Sequence, residues 1–236
     1  MKTVALVQAR LGSSRLPMKS LICLRGLPLI DWVIHRVAQA ELVDQVVAAV
    51  PDTPLDQVLA EHLERQGVAC FRGAEDDVLA RFRAAGRAFG ADQVVRVCAY
   101  NPLIWGGAID ALLRFYHQSG HDYAYNHIPH NNRWPDGLGA ETLSFALLEE
   151  LDRLAVEPAH REHCLSYIWD HAASFRIGTF DPEDPALRRP ELKLDIDTRE
   201  DYRRLALLPI HPDISPRELI AAVDQAAAQP TTGGAL

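Results

Sequence analysis

The chain has 236 residues, of which 48% are hydrophobic and 24% are charged. This content suffices for one domain with a buried core, or one domain with a small appended lobe. The formal net charge of -8 argues against nonspecific nucleic-acid binding, and no window is apolar enough for a transmembrane helix. Widely spaced cysteines without a C-x-x-C pair favour free or buried thiols. We therefore predict a soluble, cytoplasmic protein with no nucleic-acid or membrane partner.

Strand-like and helix-like segments alternate along the first half of the chain. The short apolar run of the N-terminus leads straight into Arg10, which indicates a first strand and not a signal peptide. This rhythm predicts an α/β fold with a mostly parallel central sheet and helices on both faces. In chain order, the predicted strands are TVALVQA, DQVVAAV, VACFRG and DQVVRVCA, and the helices that alternate with them are LPLIDWVIHRVAQAE, PLDQVLAEHLERQG, EDDVLARFRAAGRAFG and GAIDALLRFYHQSG.

The alternation stops after His121. Residues 1–228 are expected to form a single domain with an irregular segment at about 121–180, followed by a flexible tail at 229–236. The predicted elements after His121 are strands at DYAYN, FRIGTF and LKLDID, a long loop at HIPHNNRWPDGLG, and helices at SFALLEELDRL, REHCLSYIWDHA, TREDYRRLALL and SPRELIAAVDQAAA.

A loop rich in cations follows the first predicted strand. It carries Arg10, Arg15 and Lys19 together with Gly12 and Pro17. Arginine can fork onto phosphate oxygens, lysine adds a point charge, and glycine lets backbone N–H groups approach a ligand. The spacing matches neither a P-loop nor G-x-G-x-x-G. The residue types alone support an anion site and a solvated surface loop about equally.

Two further polar segments are expected at the same edge of the sheet, because ligands of open α/β sheets bind beyond the carboxyl ends of the strands. AYNPLI follows one predicted strand, and DIDTRED ends another. Residues two apart on a strand face the same side, so Asp195 and Asp197 could both face the site as magnesium ligands. Asp197 could instead cap the helix that follows.

The order of residues in the cationic loop resembles the R-x-G-S-x-R-L-P-x-K signature of the sugar cytidylyltransferases. This family includes the CMP-KDO synthetases and acylneuraminate cytidylyltransferases, and its spore coat polysaccharide biosynthesis protein F-like branch is the most similar. The resemblance implies a GT-A-like, Rossmann-like nucleotidyltransferase fold and transfer of CMP from CTP to a sugar or sugar acid, with release of pyrophosphate. Five more blocks match in order: GAEDDVLARF, VRVCAYNPLI, WPDGLGAETLS, REHCLSYIW and LDIDTREDYRRL.

The resemblance also implies roles for individual residues, Mg²⁺ as the cofactor and a homodimer. Catalytic contacts to the triphosphate are assigned to Arg10, Arg15 and Lys19, and the metal to Asp197 and Asp195. The predicted nucleotide-binding residues are Ala9, Arg10, Leu11, Gly12, Ser13, Lys19, Asp77 and Asn101. The predicted acceptor-binding residues are Asn126, Asp136, Glu141, Arg161, Glu162 and His163.

The chain departs from the family pattern at Tyr100, where the family usually has an aspartate that is often described as a magnesium ligand. Tyrosine is neutral near pH 7 and is a poor magnesium ligand. The departure leaves two alternatives open, a metal held by Asp197, the triphosphate and Asp195, or a binding protein that has lost catalysis. A transferase for another nucleotide, or a glycosyltransferase, is a further alternative.

Overall fold

The computed structural model describes residues 1–228, and the tail predicted at 229–236 lies outside them. Within the described residues the strands are β1 Thr3–Gln8, β2 Cys23–Leu24, β3 Leu27–Pro28, β4 Gln45–Pro51, β5 Ala69–Gly73, β6 Gln93–Cys98, β7 Tyr123–Tyr125, β8 Glu141–Ser144 and β9 Ile177–Gly178. The helices in the same range are α1 Leu29–Val37, α2 Gln57–Arg65, α3 Val78–Ala88, α4 Gly106–Ser119, α5 Phe145–Leu154, α6 Pro158–Glu162, α7 Ser166–Asp170, α8 Arg199–Ala206 and α9 Pro216–Ala228.

The central sheet has the strand order β5-β4-β1-β6-β8-β7-β9. Strands β5, β4, β1 and β6 are parallel, whereas β8 runs antiparallel to both of its neighbours. The apolar residues of β1, Val4 to Val7, are fully buried. A continuous apolar sequence of this kind is typical of a parallel strand that is covered on both faces. The predicted mostly parallel sheet is confirmed.

Helices cover both faces of this sheet, as the alternation predicted. Successive strand residues point to opposite faces. Val4 and Leu6 accordingly pack with α3, α5 and α7, whereas Ala5 and Val7 pack with α1, α2 and α4. A third apolar cluster, which includes Trp32 and residues of α8 and α9, attaches the end of the described chain to the sheet layer. Among residues 1–228 no helix is long and apolar enough to cross a membrane.

The predicted strand LKLDID is wrong. Within residues 1–228, its only β-pairing is a single parallel bridge between Lys193 and Asp136. The segment has the alternation of an edge strand, but the chain opposite is the turn at Gly137 (φ +87), which offers no second residue in register. A side chain at Gly137 would lie 2.8 Å from the backbone nitrogen of Asp195, so only glycine permits this close approach.

The predicted helix REHCLSYIWDHA is also wrong in its extent. The chain forms two short helices, α6 and α7, with a break from His163 to Leu165. Cys164 and Leu165 are buried in the core beneath the sheet, and the break lets both side chains reach it. Strand β8 and the β2–β3 hairpin lack a predicted counterpart, because each is only two to four residues long and exists through its partner strand.

Candidate active site

A small cavity of about 110 Å³ lies at the carboxyl ends of β1 and β6. The two strands are parallel neighbours with Gln8 opposite Cys98, so the segments that follow them meet at one edge of the sheet. We call this space the cationic cavity. Its lining residues are Gln8, Arg10, Ser13, Arg15, Lys19, Ser20, Ala99, Tyr100 and Asp197.

Hydrogen bonds to main-chain atoms hold the cationic loop in shape. The Leu11 N–H donates to the buried carboxylate of Asp56 at 2.7 Å, and the Met18 N–H donates to the Leu11 carbonyl at 3.1 Å. The Ser20 hydroxyl donates to the Arg10 carbonyl at 3.1 Å. Because the loop is organised before a ligand arrives, less conformational entropy is lost on binding.

The cations of the cavity are paired with carboxylates. Asp197 accepts from Arg15 Nη1 at 3.0 Å and from Lys19 Nζ at 3.2 Å, and Arg10 Nη2 lies 3.8 Å from Glu162 Oε1. Burial lowers the pKa of Lys19, and the Asp197 carboxylate opposes that shift. An incoming anion with several charges can take over these cations, since arginine and lysine bind phosphate oxygens strongly.

The Tyr100 ring packs against the Lys19 ammonium in the cavity wall. The Lys19 ammonium lies 4.4 Å from the centroid of the Tyr100 ring, within the range of a cation–π interaction. Cys98 and burial raise the pKa of Tyr100, so its phenol stays neutral. At the position where the family pattern has an acidic residue, this chain therefore has a neutral ring that orients a cation.

The residues present fit a magnesium ion that arrives with a phosphate ligand. Asp197 is the only carboxylate among the described residues of the cavity wall, and no three His, Cys, Asp or Glu side chains within residues 1–228 are close enough to hold a metal. Magnesium commonly takes one or two carboxylates, with phosphates and waters completing its coordination. The predicted second ligand, Asp195, is 5% exposed, lies outside the wall, and has Oδ1 3.4 Å from Lys193 Nζ.

The remaining predicted nucleotide-binding residues lie around the cavity or away from it. Ala9 and Leu11 are buried, so they can offer only main-chain atoms, and Gly12 is exposed. Asp77 caps α3 by accepting from the Ala80 N–H at 2.8 Å, and Asn101 is buried with its Oδ1 unpaired among the described residues. The structure thus gathers Arg10, Ser13, Arg15, Lys19 and Asp197, but places Asp77 and Asn101 outside the wall.

Most of the predicted acceptor-binding residues have protein partners. The Asn126 amide is fully buried and bonds to the main chain of Ala108 and Ala140, both at 2.9 Å. Arg161 donates to Asp77 at 2.6 Å and to Asp152 at 2.7 Å, which ties α6 to α3 and α5. The Arg161 guanidinium therefore already has two carboxylate partners.

The other predicted acceptor-binding residues differ in their exposure to solvent. Glu141 is buried against Arg96 and Tyr123. Glu162 and His163 are exposed, and Glu162 is the one that reaches a cavity residue, Arg10. Asp136 is half-buried beside the bridge to Lys193.

Substitution of Asp136 by asparagine is expected to stabilise the fold more at neutral pH than in acid. Burial, with repulsion from Asp195, raises the pKa of Asp136 from 3.8 to about 6. A raised carboxyl pKa means that the fold loses stability as pH rises through this range. With allowance for solvent screening, we expect Asp136→Asn to add on the order of 1 kcal/mol at pH ~7.5 and much less at pH ~4.5.

Denaturant unfolding at the two pH values measures this difference in the free energy of unfolding. Asp76→Asn, at an exposed carboxylate with no side-chain hydrogen bond among the described residues, is the matched control and should change little at either pH. An equal gain for Asp136→Asn at both pH values would contradict the expected proton linkage.

Sequence reasoning missed three residues that shape the site. Gln8 and Ser20 line the cavity, and Asp56 holds the loop at Leu11. Gln8 ended an apolar strand, and Asp56 lay inside a predicted helix that in fact begins at Gln57. The only available signal for Gln8 was its place at a strand end.

A larger cavity of about 550 Å³ lies elsewhere, beside α4 and lined in part by Trp105, Trp134 and Phe180. Its walls are mainly aromatic, and it does not include the cationic loop. The smaller cavity is the candidate active site because the charges and the strand ends meet there.

The fold and the cationic cavity define an α/β protein of the nucleotidyltransferase class. A family model described as Cytidylyltransferase matches residues 4–227, and the chain belongs to this family and is a nucleotidyltransferase. It is 32% identical to the spore coat polysaccharide biosynthesis protein SpsF of Bacillus subtilis, over 93% of either chain.

Solved structures agree with this assignment. A cytidylyltransferase from Leptospira borgpetersenii superposes with a TM-score of 0.86 at 26% identity, covering 96% of this chain and 95% of the other. A CMP:2-keto-3-deoxy-manno-octonic acid synthetase complexed with CTP superposes with a TM-score of 0.64 at 17% identity, covering 87% and 97%. At that identity the second comparison supports the fold alone.

Proposed function

We propose that residues 1–228 act as one CTP-dependent cytidylyltransferase that transfers CMP to a sugar or sugar acid and releases pyrophosphate. The observation that carries the proposal is the convergence of Arg10, Arg15 and Lys19 on one cavity at the ends of β1 and β6. The names of relatives support the acceptor class. One is SpsF, and another is a 3-deoxy-manno-octulosonate cytidylyltransferase of Bdellovibrio bacteriovorus, 30% identical over 49% of this chain and 46% of that protein.

The proposed reaction is an in-line displacement at phosphorus. An acceptor hydroxyl oxygen attacks the α-phosphorus of CTP, the bond from that phosphorus to the bridging oxygen breaks, and pyrophosphate leaves. The hydroxyl proton passes to solvent. Arg10, Arg15 and Lys19 neutralise the triphosphate and stabilise the charge that grows on the leaving group. Binding requires Arg15 and Lys19 to exchange Asp197 for phosphate oxygens.

Asp197 is the residue of the cavity that would hold a magnesium ion. A bound Mg²⁺ would neutralise phosphate charge and orient the triphosphate. Among the predicted acceptor residues, Glu162 is exposed beside Arg10, and His163 is exposed next to it in the chain, so these two are our first choice for contacts to the sugar. The homodimer and the cytoplasmic location stay predictions from the family resemblance.

Release of pyrophosphate tests this function. Each of CTP, UTP, GTP and ATP is incubated with magnesium and a panel of sugars and sugar acids, and pyrophosphate is measured. We expect release with CTP and one acceptor class. A glycosyltransferase would release no pyrophosphate from a nucleoside triphosphate. Release from another triphosphate and not from CTP would contradict the proposed base selectivity.

Gly12→Ala is expected to separate ligand binding from folding. Among the described residues, no atom other than those of Gly12 and its chain neighbours lies within 4 Å of a Cβ built at Gly12. Its backbone is not in the left-handed region, so the free energy of unfolding should not change. The added methyl group lies where a phosphate is expected to approach the main chain, so CTP should bind several-fold more weakly. Calorimetric titration and thermal unfolding measure the two effects. Unchanged CTP affinity would contradict close approach of the ligand at Gly12.

A catalytically silent homologue is the second candidate function, and Tyr100 is the observation that favours it. We expect Tyr100→Asp to place a second carboxylate in the cavity wall and to lower the magnesium concentration needed for half-maximal turnover.

Tyr100→Phe keeps the ring beneath Lys19 and should leave CTP affinity nearly unchanged. Tyr100→Ala should weaken CTP binding several-fold, because a partly desolvated cation–π contact contributes about 1–2 kcal/mol. No gain in magnesium affinity for Tyr100→Asp would rule out a metal-site role for this position.

A further inference from the structure

A row of polar side chains crosses the sheet from the cationic cavity to the buried carboxylate of Glu141. Gln8 ends β1, Arg96 lies on the neighbouring β6, and Arg96 stands directly opposite Glu141 on β8. Arg96 donates to Gln8 Oε1 from Nε at 3.2 Å and from Nη2 at 2.9 Å, and to Glu141 Oε1 from Nη1. The Tyr123 hydroxyl donates to the other oxygen of Glu141.

These contacts fix the orientation of the Gln8 carboxamide. A guanidinium only donates, so the Gln8 oxygen must face Arg96. The amide nitrogen, which carries two N–H donors, is left on the opposite side of the group. It donates to no acceptor within residues 1–228, and Gln8 lines the cavity together with Arg10, Arg15 and Lys19.

Stability alone does not account for this row. Glu141 is 3% exposed, and taking a carboxylate and a guanidinium out of water costs about as much as their attraction returns. Apolar residues at these places would hold the strands together at least as well. What the ion pair supplies that apolar residues cannot is a fixed pair of donors on the Gln8 oxygen.

We propose that Gln8 contacts the substrate, with its amide donating to a phosphate oxygen of the bound nucleotide. Arg96 and Glu141 are positioning residues that hold Gln8 for this contact. The inference rests on the proposed function and adds to it a neutral donor beside three cations. It also moves Glu141 from the acceptor-binding set, where the family resemblance places it, to the support of the nucleotide site.

The first test compares the dissociation constants of CTP and of inorganic tripolyphosphate, measured by calorimetry without an acceptor. We expect Gln8→Met to weaken both about tenfold, the size of one hydrogen bond to a charged group. Gln118→Met, at an exposed glutamine of α4, is the matched control and should bind both ligands normally. Weaker CTP binding with unchanged tripolyphosphate binding would overturn the phosphate contact.

The second test is a double-mutant cycle that asks whether Glu141 acts through Gln8. We expect Glu141→Gln to weaken CTP binding several-fold in the wild-type background and to have no further effect in the Gln8→Met background. A merely structural role would lower the unfolding temperature while the two effects on binding add, and that result would overturn the positioning role. Tyr123→Phe, which removes only one donor to Glu141, completes the same cycle if Glu141→Gln does not fold.

The two proposals fail differently in these experiments. Wild-type protein that is folded and binds neither CTP nor tripolyphosphate would contradict the proposed function. Wild-type protein that binds both, with Gln8→Met binding equally well, would contradict only the inference about Gln8.

Discussion

Lys19→Ala is expected to lower the turnover of CTP by about 100- to 1000-fold, the usual cost of removing one fixed donor to a charge that develops during reaction. The Lys19 side chain is 12% exposed and lies between Asp197 and the Tyr100 ring, so its ammonium has a fixed place in the cavity. Arg15 cannot replace it, because its side chain is 67% exposed and its charge is screened by water. Steady-state kinetics with pyrophosphate detection measures the loss.

Two further variants define what Lys19 contributes. Lys19→Arg keeps the charge but changes its shape, and we expect a smaller loss. Arg65→Ala removes an exposed cation of α2, which lies 3.9 Å from the Glu61 carboxylate, and should leave turnover unchanged. Lys19→Ala protein with near wild-type turnover would show that the loop does not carry the triphosphate.

Asp197→Asn is expected to change nucleotide binding in opposite directions with and without magnesium. Without metal, the substitution removes a negative charge from the cavity and frees Lys19 and Arg15, so CTP should bind more tightly. With magnesium, the variant lacks the carboxylate that would hold the ion, so CTP should bind more weakly and turnover should fall by about 100-fold or more. Calorimetric titration of CTP at matched ionic strength, with and without magnesium, measures the two affinities. We call the change from tighter to weaker binding, relative to the wild type, the crossing.

Asp195→Asn is the comparison that decides between the two predicted metal ligands. Because Asp195 lies outside the cavity wall and beside Lys193, we expect no crossing for this variant. If Asp197→Asn instead weakens CTP binding under both conditions, Asp197 only orients the cations and does not hold a metal. The same crossing in Asp195→Asn would restore it as a ligand.

The parallel half of the fold could be predicted because its strands are buried on both faces. Runs such as Val4–Val7 are continuous and apolar, and each is followed by a helix with its own apolar stripe. Strand β8, which runs antiparallel to both of its neighbours, could not be predicted, because it has only four residues and exists through those neighbours. Strands β7 and β9 lie within the predicted strands DYAYN and FRIGTF. LKLDID shows the reverse error, since it has the pattern of a strand but lacks a strand to pair with.

The residues of the candidate site also divide into those that the sequence could predict and those that it could not. Arg10, Arg15 and Lys19 could be found because they lie on one loop, and a loop keeps its residues together whatever the sheet order is. The pairing of Arg161 with Asp77 and the contact of Gln8 with Arg96 join distant parts of the chain, so they require the strand order and register. For that reason the structure adds Gln8 to the cavity and gives Arg161 two protein carboxylates.

The most direct test of the central claim is a calorimetric titration of wild-type protein and of Lys19→Ala with CTP, UTP, GTP and ATP, with and without magnesium. It requires no acceptor, so an unknown sugar cannot obscure the result. We predict binding that is selective for CTP in the wild type and lost in Lys19→Ala, while Arg65→Ala binds normally. Folded wild-type protein that binds none of the four nucleotides, or that binds CTP equally well without Lys19, would contradict the assignment of the cationic cavity as a triphosphate site.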